Sequence, residues 1–165
     1  MIGKKLFFLK NFINSDRLRD HVSFDDFLET YTRVKLNQFI NSTIHNDRHN
    51  EKEISLVLFK IEWQQGDLKF KEEAKKKMLL AIKEEVREQD ILAPWDEDEF
   101  ILLLTECNNE SAHKIAELIK GIIESRKFIN LKVSLNYGIS VLDVDDSVES
   151  FIEKANDSLK NCEKV

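Results

Sequence analysis

The sequence predicts one α+β domain over residues 23–165, a mainly antiparallel central sheet flanked by helices, preceded by a helical extension over residues 1–22. Three features point to it. Apolar periodicity runs in the order helix, strand, helix, hairpin, helix, strand, helix. One Pro and four Gly in 165 residues leave little material for long loops, so helices should dominate. Two apolar runs meet at the acidic stretch Asp96-Glu97-Asp98-Glu99, a spacing that only a tight antiparallel hairpin accommodates.

The elements follow in order. In the extension, Leu6, Phe7, Leu9, Phe12 and Ile13 fall at helical spacing, which suits packing on the domain or pairing with a second copy. Ser23 and Asp25 are placed to cap a helix carrying Phe27, Leu28, Tyr31, Val34, Leu36, Phe39 and Ile40. A polar loop over Asn46–Lys52 leads to the strand Ile54–Glu62. After Gln64-Gln65-Gly66-Asp67 the spacing predicts a long helix from Leu68 to about Glu88, with Phe70, Ala74, Met78, Leu79, Ala81, Ile82 and Val86 on its apolar side.

The hairpin spans Ile91–Leu104 with its two-residue turn expected at Asp96-Glu97, where Asp tolerates positive φ and Glu does so poorly. Pro94 marks an edge or bulged strand, because proline has no N–H to give to a ladder. Asn108 to Ser111 cap the next helix, whose stripe is Ala112, Ile115, Ala116, Leu118, Ile119, Ile122 and Ile123. Leu131–Leu142 alternates as a strand, with Gly138 in its interior marking a bulge or a close backbone approach. Asp145-Asp146-Ser147 then caps the last helix.

Composition narrows the function classes. Thirty-four per cent charged and 42% hydrophobic residues describe a globular chain. A net charge of -6 argues against non-specific nucleic-acid binding, which needs a basic face, but leaves room for a small nucleotide held by local cations. Cys107 and Cys162 have no metal-like spacing and are too few for a disulfide framework, so a reducing cytoplasm is expected. Lys10 ends the first apolar run and no stretch reaches the roughly 20 apolar residues of a membrane span.

Five segments carry a resemblance. Arg87-Glu88-Gln89-Asp90, five residues, then Asp96-Glu97-Asp98-Glu99-Phe100 resembles Arg-x-x-Asp followed by Gly-Gly-Asp-Glu-Phe, the centre of a diguanylate cyclase (GGDEF) domain, with both glycines replaced. Asp26-Phe27-Leu28 is similar to the start of that family's opening Asp-x-Leu-Thr-Gly-Leu-x-Asn-Arg, whose Thr-Gly and Asn are missing here. The family's strand-end Asp-x-Asp falls on Lys60 and Glu62. Val133 to Ser140 resembles Val-Thr-x-Ser-x-Gly-x-Ala, and Ala155 to Lys160 resembles the closing Ala-Asp-x-Ala-Leu-Tyr. The family's next lysine falls on Glu163, with Lys164 adjacent. Together they span about residues 25–164 and imply a degenerate GGDEF, nucleotide cyclase-like fold.

The resemblance implies two sites. In the family the hairpin and the strand end hold GTP and metal, and two GTP molecules on two subunits are joined into cyclic di-GMP. Here Asp98 and Glu99 would be the surviving catalytic acids, and Glu99 and Glu62 the surviving metal ligands for Mg²⁺. Lys60 in the leading ligand position offers a cation no oxygen, Asp96 and Glu97 put negative charge where glycine N–H groups would meet phosphate, and the segment between strand and helix that contacts guanine is shortened. The expectation is a module without cyclase activity and without a cofactor, the alternative being a divergent active cyclase using Mg²⁺. The second implied site is Arg87 with Asp90, where the family holds cyclic di-GMP; an ordinary ion pair at this spacing is the competing reading. The family's second arginine falls on Leu118. Expected partners are cyclic di-GMP, a second copy or another protein, with neither nucleic acid nor membrane insertion.

Overall fold

The computed structural model describes residues 34–42 and 52–163. The expectations on the extension, on Ser23, Asp25 and Asp26, on most of the polar loop and on Lys164 lie outside the described residues.

Helical residues 34–42 (α1) bury Leu36 and Ile40, one turn apart and so on one face. Then follow β1 (Ser55–Gln65), a 3-10 turn (Leu68–Phe70), α2 (Lys71–Glu85), β2 (Ile91–Asp96), β3 (Glu99–Leu104), α3 (Asn109–Glu124), β4 (Lys132–Val141) and α4 (Val148–Glu163). The four strands form one sheet in the order β2-β3-β1-β4, and every neighbouring pair is antiparallel, which agrees with the expected α+β class.

Both faces of the sheet are covered. Val57, Phe59 and Ile61 of β1 join Phe100, Leu102 and Leu104 of β3 under Ala74, Met78 and Ile82 of α2 and Ala112, Ala116, Ile119 and Ile123 of α3. The alternate residues Leu56, Leu58, Ile101 and Leu103 face Leu36 and Ile40 of α1 and Phe151, Ala155 and Leu159 of α4. β1 is a central strand with both faces covered, which is why Leu56 to Phe59 form an unbroken buried apolar run; past Lys60 only Ile61 returns to the core.

Gly138 explains itself at the β4–α4 contact. A Cβ there would stand 2.1 Å from the Ala155 carbonyl oxygen and 2.3 Å from the Leu159 nitrogen, so only glycine lets helix and strand approach. The caps are where the sequence puts them: Asn108 Oδ1 accepts from Ser111 N–H at 2.9 Å, and Ser147 Oγ accepts from Ser150 N–H at 3.1 Å. Pro94 lies on an edge strand of the described sheet beside a register shift between Pro94 and Asp96.

Several local expectations need correction. The helix expected from Leu68 to Glu88 begins as a 3-10 turn and ends at Glu85, because Val86 is extended and the Asp90 carboxylate takes the Arg87 N–H at 3.3 Å. β1 runs on to Gln65, paired with β4 past a shift between Trp63 and Gln65. The hairpin turn is Glu97-Asp98, one residue later than expected, since Asp96 pairs with Glu99. Leu118 is 53% exposed and not part of the buried stripe of α3. A tight turn before β4 was not legible: Phe128 and Leu131 exchange N–H···O bonds of 3.0 and 2.9 Å around Ile129 and Asn130, both at positive φ. A β-branched residue gives no sequence signal for that conformation.

Candidate functional site

The hairpin turn is fastened to the body of the domain by groups outside the hairpin. Non-glycine residues with positive φ among those described are Glu106, Ile129 and Asn130, so the Glu97-Asp98 turn is made without any and the shift beside Trp95 takes up the twist. Asp98 is held at three atoms. Its carbonyl accepts from Ile61 N–H at 2.7 Å, its Oδ2 from Lys71 Nζ at 2.7 Å and its Oδ1 from Trp63 Nε1 at 3.1 Å. Lys71 Nζ also lies 5.5 Å from the centroid of a Trp63 ring and 3.4 Å from Glu97 Oε1. One helical turn on, Lys75 Nζ donates to the Glu97 carbonyl at 2.5 Å and pairs with Glu72 at 2.6 Å.

The Lys71 side chain is 19% and the Asp98 side chain 27% exposed, so the pair is partly withdrawn from water. Burial pushes the Lys71 ammonium down, but Asp98 and Glu97 outweigh it and hold the group above its usual range. Lys71, Lys75 and Trp63 were not among the residues singled out from the sequence. The available signal was the i, i+4 spacing of the two lysines, which puts both on one face of a helix whose target, the acidic turn, only the fold reveals.

The end of β1 carries the second group of expected residues. Lys60 stands directly opposite Glu99 of β3 and, on its other side, opposite Asn136 of β4. Directly opposed residues point to the same face, so Lys60, Glu99 and Asn136 emerge together beyond the α1–α4 core. Glu62, two residues along, shares that face. Its Oε1 accepts from Asn136 Nδ2 at 2.8 Å and its Oε2 from Ser134 Oγ at 3.3 Å. Phe100 takes no part, being buried on the opposite face and stacked on Phe59 at a centroid distance of 4.8 Å. Among the described residues no three or more His, Cys, Asp or Glu side chains converge as a metal-binding group.

Arg87 and Asp90 do meet, in the loop between α2 and β2 and not within a helix end. Arg87 Nε donates to Asp90 Oδ2 and Nη2 to Asp90 Oδ1, both at 3.1 Å, a two-point fork. Thr105 N–H donates to the same Oδ1 at 3.2 Å, and Arg87 Nη2 reaches the Thr105 carbonyl at 2.5 Å. The Asp90 side chain is 1% exposed while that of Arg87 is 44% exposed. Asp90 holds the guanidinium pKa above its ordinary value, and Arg87 thereby keeps the buried carboxylate compensated. This cluster sits where β2 begins and β3 ends, the acidic turn where β2 ends and β3 begins, so the two are separated by roughly 20 Å of hairpin. The structure does not bring them into one pocket.

Residues 22–164 match the family model "Diguanylate cyclase, GGDEF domain". No curated protein matches. Among solved structures the chain is similar to the active GGEEF domain of a diguanylate cyclase from Vibrio cholerae, at 16% identity and TM-score 0.65 over 79% of this chain and 89% of that one. It is also similar to the diguanylate cyclase SiaD, solved with its activator SiaC from Pseudomonas aeruginosa, at 15% identity and TM-score 0.68 over 99% of this chain and 64% of that one. A third is the GGDEF domain of DgcB from Caulobacter crescentus in complex with c-di-GMP, at 12% identity and TM-score 0.62 over 82% of this chain and 84% of that one. Identities this low speak to the fold, and the family match covers nearly all of the chain: it belongs to the diguanylate cyclase GGDEF-domain family.

Proposed function

We propose that this chain is a GGDEF module that no longer joins two GTP molecules and acts in cyclic di-GMP signalling by binding a protein partner. One observation carries the loss of cyclization: Asp98, the first acid retained in the hairpin, has both carboxylate oxygens engaged by Lys71 and Trp63 and its carbonyl by Ile61. Cyclization needs a hairpin that receives a triphosphate and positions charge around the transferring phosphoryl group. A hairpin carrying Asp96 and Glu97 in place of two glycines, and fastened to α2 through Lys71 and Lys75, adds two carboxylates beside its backbone N–H groups, and the Glu97 N–H is already given to Asp96 Oδ1 at 2.8 Å.

A receptor for cyclic di-GMP is the second reading, and Arg87 favours it. Its guanidinium is half exposed and held in a fixed plane by Asp90, ready to meet phosphate or a guanine edge. Asp90 weighs the other way, because its oxygens are buried against Arg87 and Thr105. Both kinds of occupant are found on this fold: SiaD was solved with an activator protein and the DgcB domain with c-di-GMP.

Incubation with GTP and Mg²⁺, read by chromatography for cyclic di-GMP, tests the first claim; the expected result is no product, and product that disappears in Glu99→Gln would establish the divergent cyclase instead. Calorimetric titration of cyclic di-GMP into wild type and Arg87→Ala separates the two readings. Saturable binding lost in the variant makes the chain a receptor, and its absence leaves the partner-binding module.

A further inference from the structure

We infer that Lys60 is a resident cation: it stands where the resemblance places this family's metal-binding acid, on the same face of the sheet as Glu99 and Glu62, so that the end of β1 takes no divalent ion. The inference rests on reading the hairpin as a non-catalytic site, but it concerns what neutralises that site rather than what the module does.

The register is the first support. Lys60 pairs with Glu99 on one side and with Asn136 on the other, so its side chain leaves the sheet between residues of β3 and β4 on one face. The Cα atoms of opposed antiparallel residues lie about 4.5–5.5 Å apart, within easy reach of a lysine and a glutamate. Glu62 supplies a second carboxylate on that face, two residues from Lys60 in β1. Two carboxylates and one ammonium leave a single net negative charge, where an acid at position 60 would leave three.

The donor set is the second support. A divalent ion such as Mg²⁺ or Mn²⁺ in a protein site needs several oxygen ligands converging on one point. Here Glu62 has Oε1 on Asn136 and Oε2 on Ser134, and Ser134 Oγ itself accepts from Gln64 Nε2 at 3.1 Å. Asp98, next to Glu99 in the hairpin, turns to Lys71 and Trp63. The family's metal does not fit these residues. A cation would have to displace Asn136 from Glu62 while repelled by Lys60.

Calorimetric titration of MnCl₂ into the full chain tests this without any reference to turnover. Wild type is expected to give no saturable heat. Lys60→Asp, which adds a third carboxylate on the same face, is expected to bind Mn²⁺ at least about 10-fold more tightly than wild type. Adding Glu99→Gln to that variant should remove the gain. Lys60→Asn, which supplies a neutral oxygen and no new charge, is the second variant should three acids disturb folding; Mn²⁺ should raise its melting temperature while leaving that of wild type unchanged. Saturable binding of Mn²⁺ by wild type that Glu99→Gln abolishes would overturn the inference. So would a folded Lys60→Asp, or Lys60→Asn, that shows no response. Such Glu99-dependent binding of Mn²⁺ without cyclic di-GMP product overturns this inference only, whereas product from GTP overturns the proposed function.

Discussion

Lys71 Nζ lies 2.7 Å from Asp98 Oδ2, joining the start of α2 to the hairpin turn 27 residues later. Trp63 completes the contact from β1, so three elements meet on one carboxylate. Partly withdrawn from water, this pair should be worth more than a surface ion pair. A double-mutant cycle with Lys71→Met and Asp98→Asn should give a coupling energy of about 1 kcal/mol by urea denaturation. Trp63 reports the same contact, and its fluorescence should shift in either single variant. A coupling indistinguishable from zero would mean that the turn is not fastened through this pair.

At the other end of the hairpin, Arg87 compensates a carboxylate that is 1% exposed. Removing Asp90 orphans the Thr105 N–H and the fork of Arg87, and removing Arg87 leaves Asp90 charged in a buried place. Asp90→Ala and Arg87→Ala should each lower stability by about 2 kcal/mol, with Arg87→Lys recovering only part because an ammonium cannot reproduce the two-point fork. Equal stability of wild type and Arg87→Ala in denaturant would show that the pair does not support the fold.

Gly138 offers the sharpest packing test. A methyl group there meets backbone atoms of Ala155 and Leu159 at 2.1 and 2.3 Å, and backbone cannot move aside as a side-chain tip can. Gly138→Ala should therefore cost about 3 kcal/mol or more, read as a fall in the melting temperature. Gly121 is the internal control, since a Cβ there meets nothing within 4 Å. Gly121→Ala, in the last turn of α3, should stabilise by about 0.5 kcal/mol.

The features readable from the sequence were those that depend on local pattern. β1 and β4 announced themselves by apolar runs and alternation, and the caps at Asn108 and Ser147 by side chains that compete for backbone N–H groups. Gly138 was readable because glycine inside a strand has few uses. The pairing of Lys71 with Asp98 was not, since nothing local to either residue says that α2 begins beside the turn. Arg87 and Asp90 were found as a motif, yet their depth was hidden: Asp90 is buried by Thr105, which joins it only once the hairpin closes. The turn at Glu97-Asp98 was misplaced by one residue because the shift beside Trp95 changes the count, and a bulge leaves little trace in an apolar-polar pattern.

Acid should loosen α4 first at its N-terminus. Burial raises the Asp146 carboxyl, but Lys154 at 2.5 Å, the Ser150 hydroxyl and the Asp143 N–H together bring it below its usual value. A depressed carboxyl contributes stability that is complete above its unfolded pKa, near 3.9, and is lost as pH falls through the lower folded value. The melting temperature of wild type should thus fall more steeply below about pH 4 than that of Asp146→Asn, with the two curves converging in acid. Parallel curves from pH 7 to pH 2 would remove Asp146 from the account.

β4 is an edge of the described sheet, and an edge exposes N–H and C=O groups that a second chain could pair with. Two side chains of α3, one turn apart, cover it at Leu135: Glu124 Oε1 accepts from the Leu135 N–H at 2.8 Å and Lys120 Nζ donates to the Leu135 carbonyl at 2.5 Å. The two also pair with each other at 3.1 Å, so each fixes the other over the strand. Farther along, Ser158 Oγ accepts from the Ile139 N–H and Lys154 donates to the Val141 carbonyl, so helices guard the edge at three places. Replacing Lys120 and Glu124 together with alanine uncovers one donor and one acceptor of the same residue, at a cost of about 1–2 kcal/mol in stability. The larger effect should be on association. Sedimentation velocity should show the double variant forming concentration-dependent larger species that wild type at the same concentration does not form, and Lys120→Gln with Glu124→Gln, which restores a donor and an acceptor without charge, should return it toward wild-type behaviour. A double alanine variant that sediments as wild type does would show that this clasp serves only to satisfy Leu135.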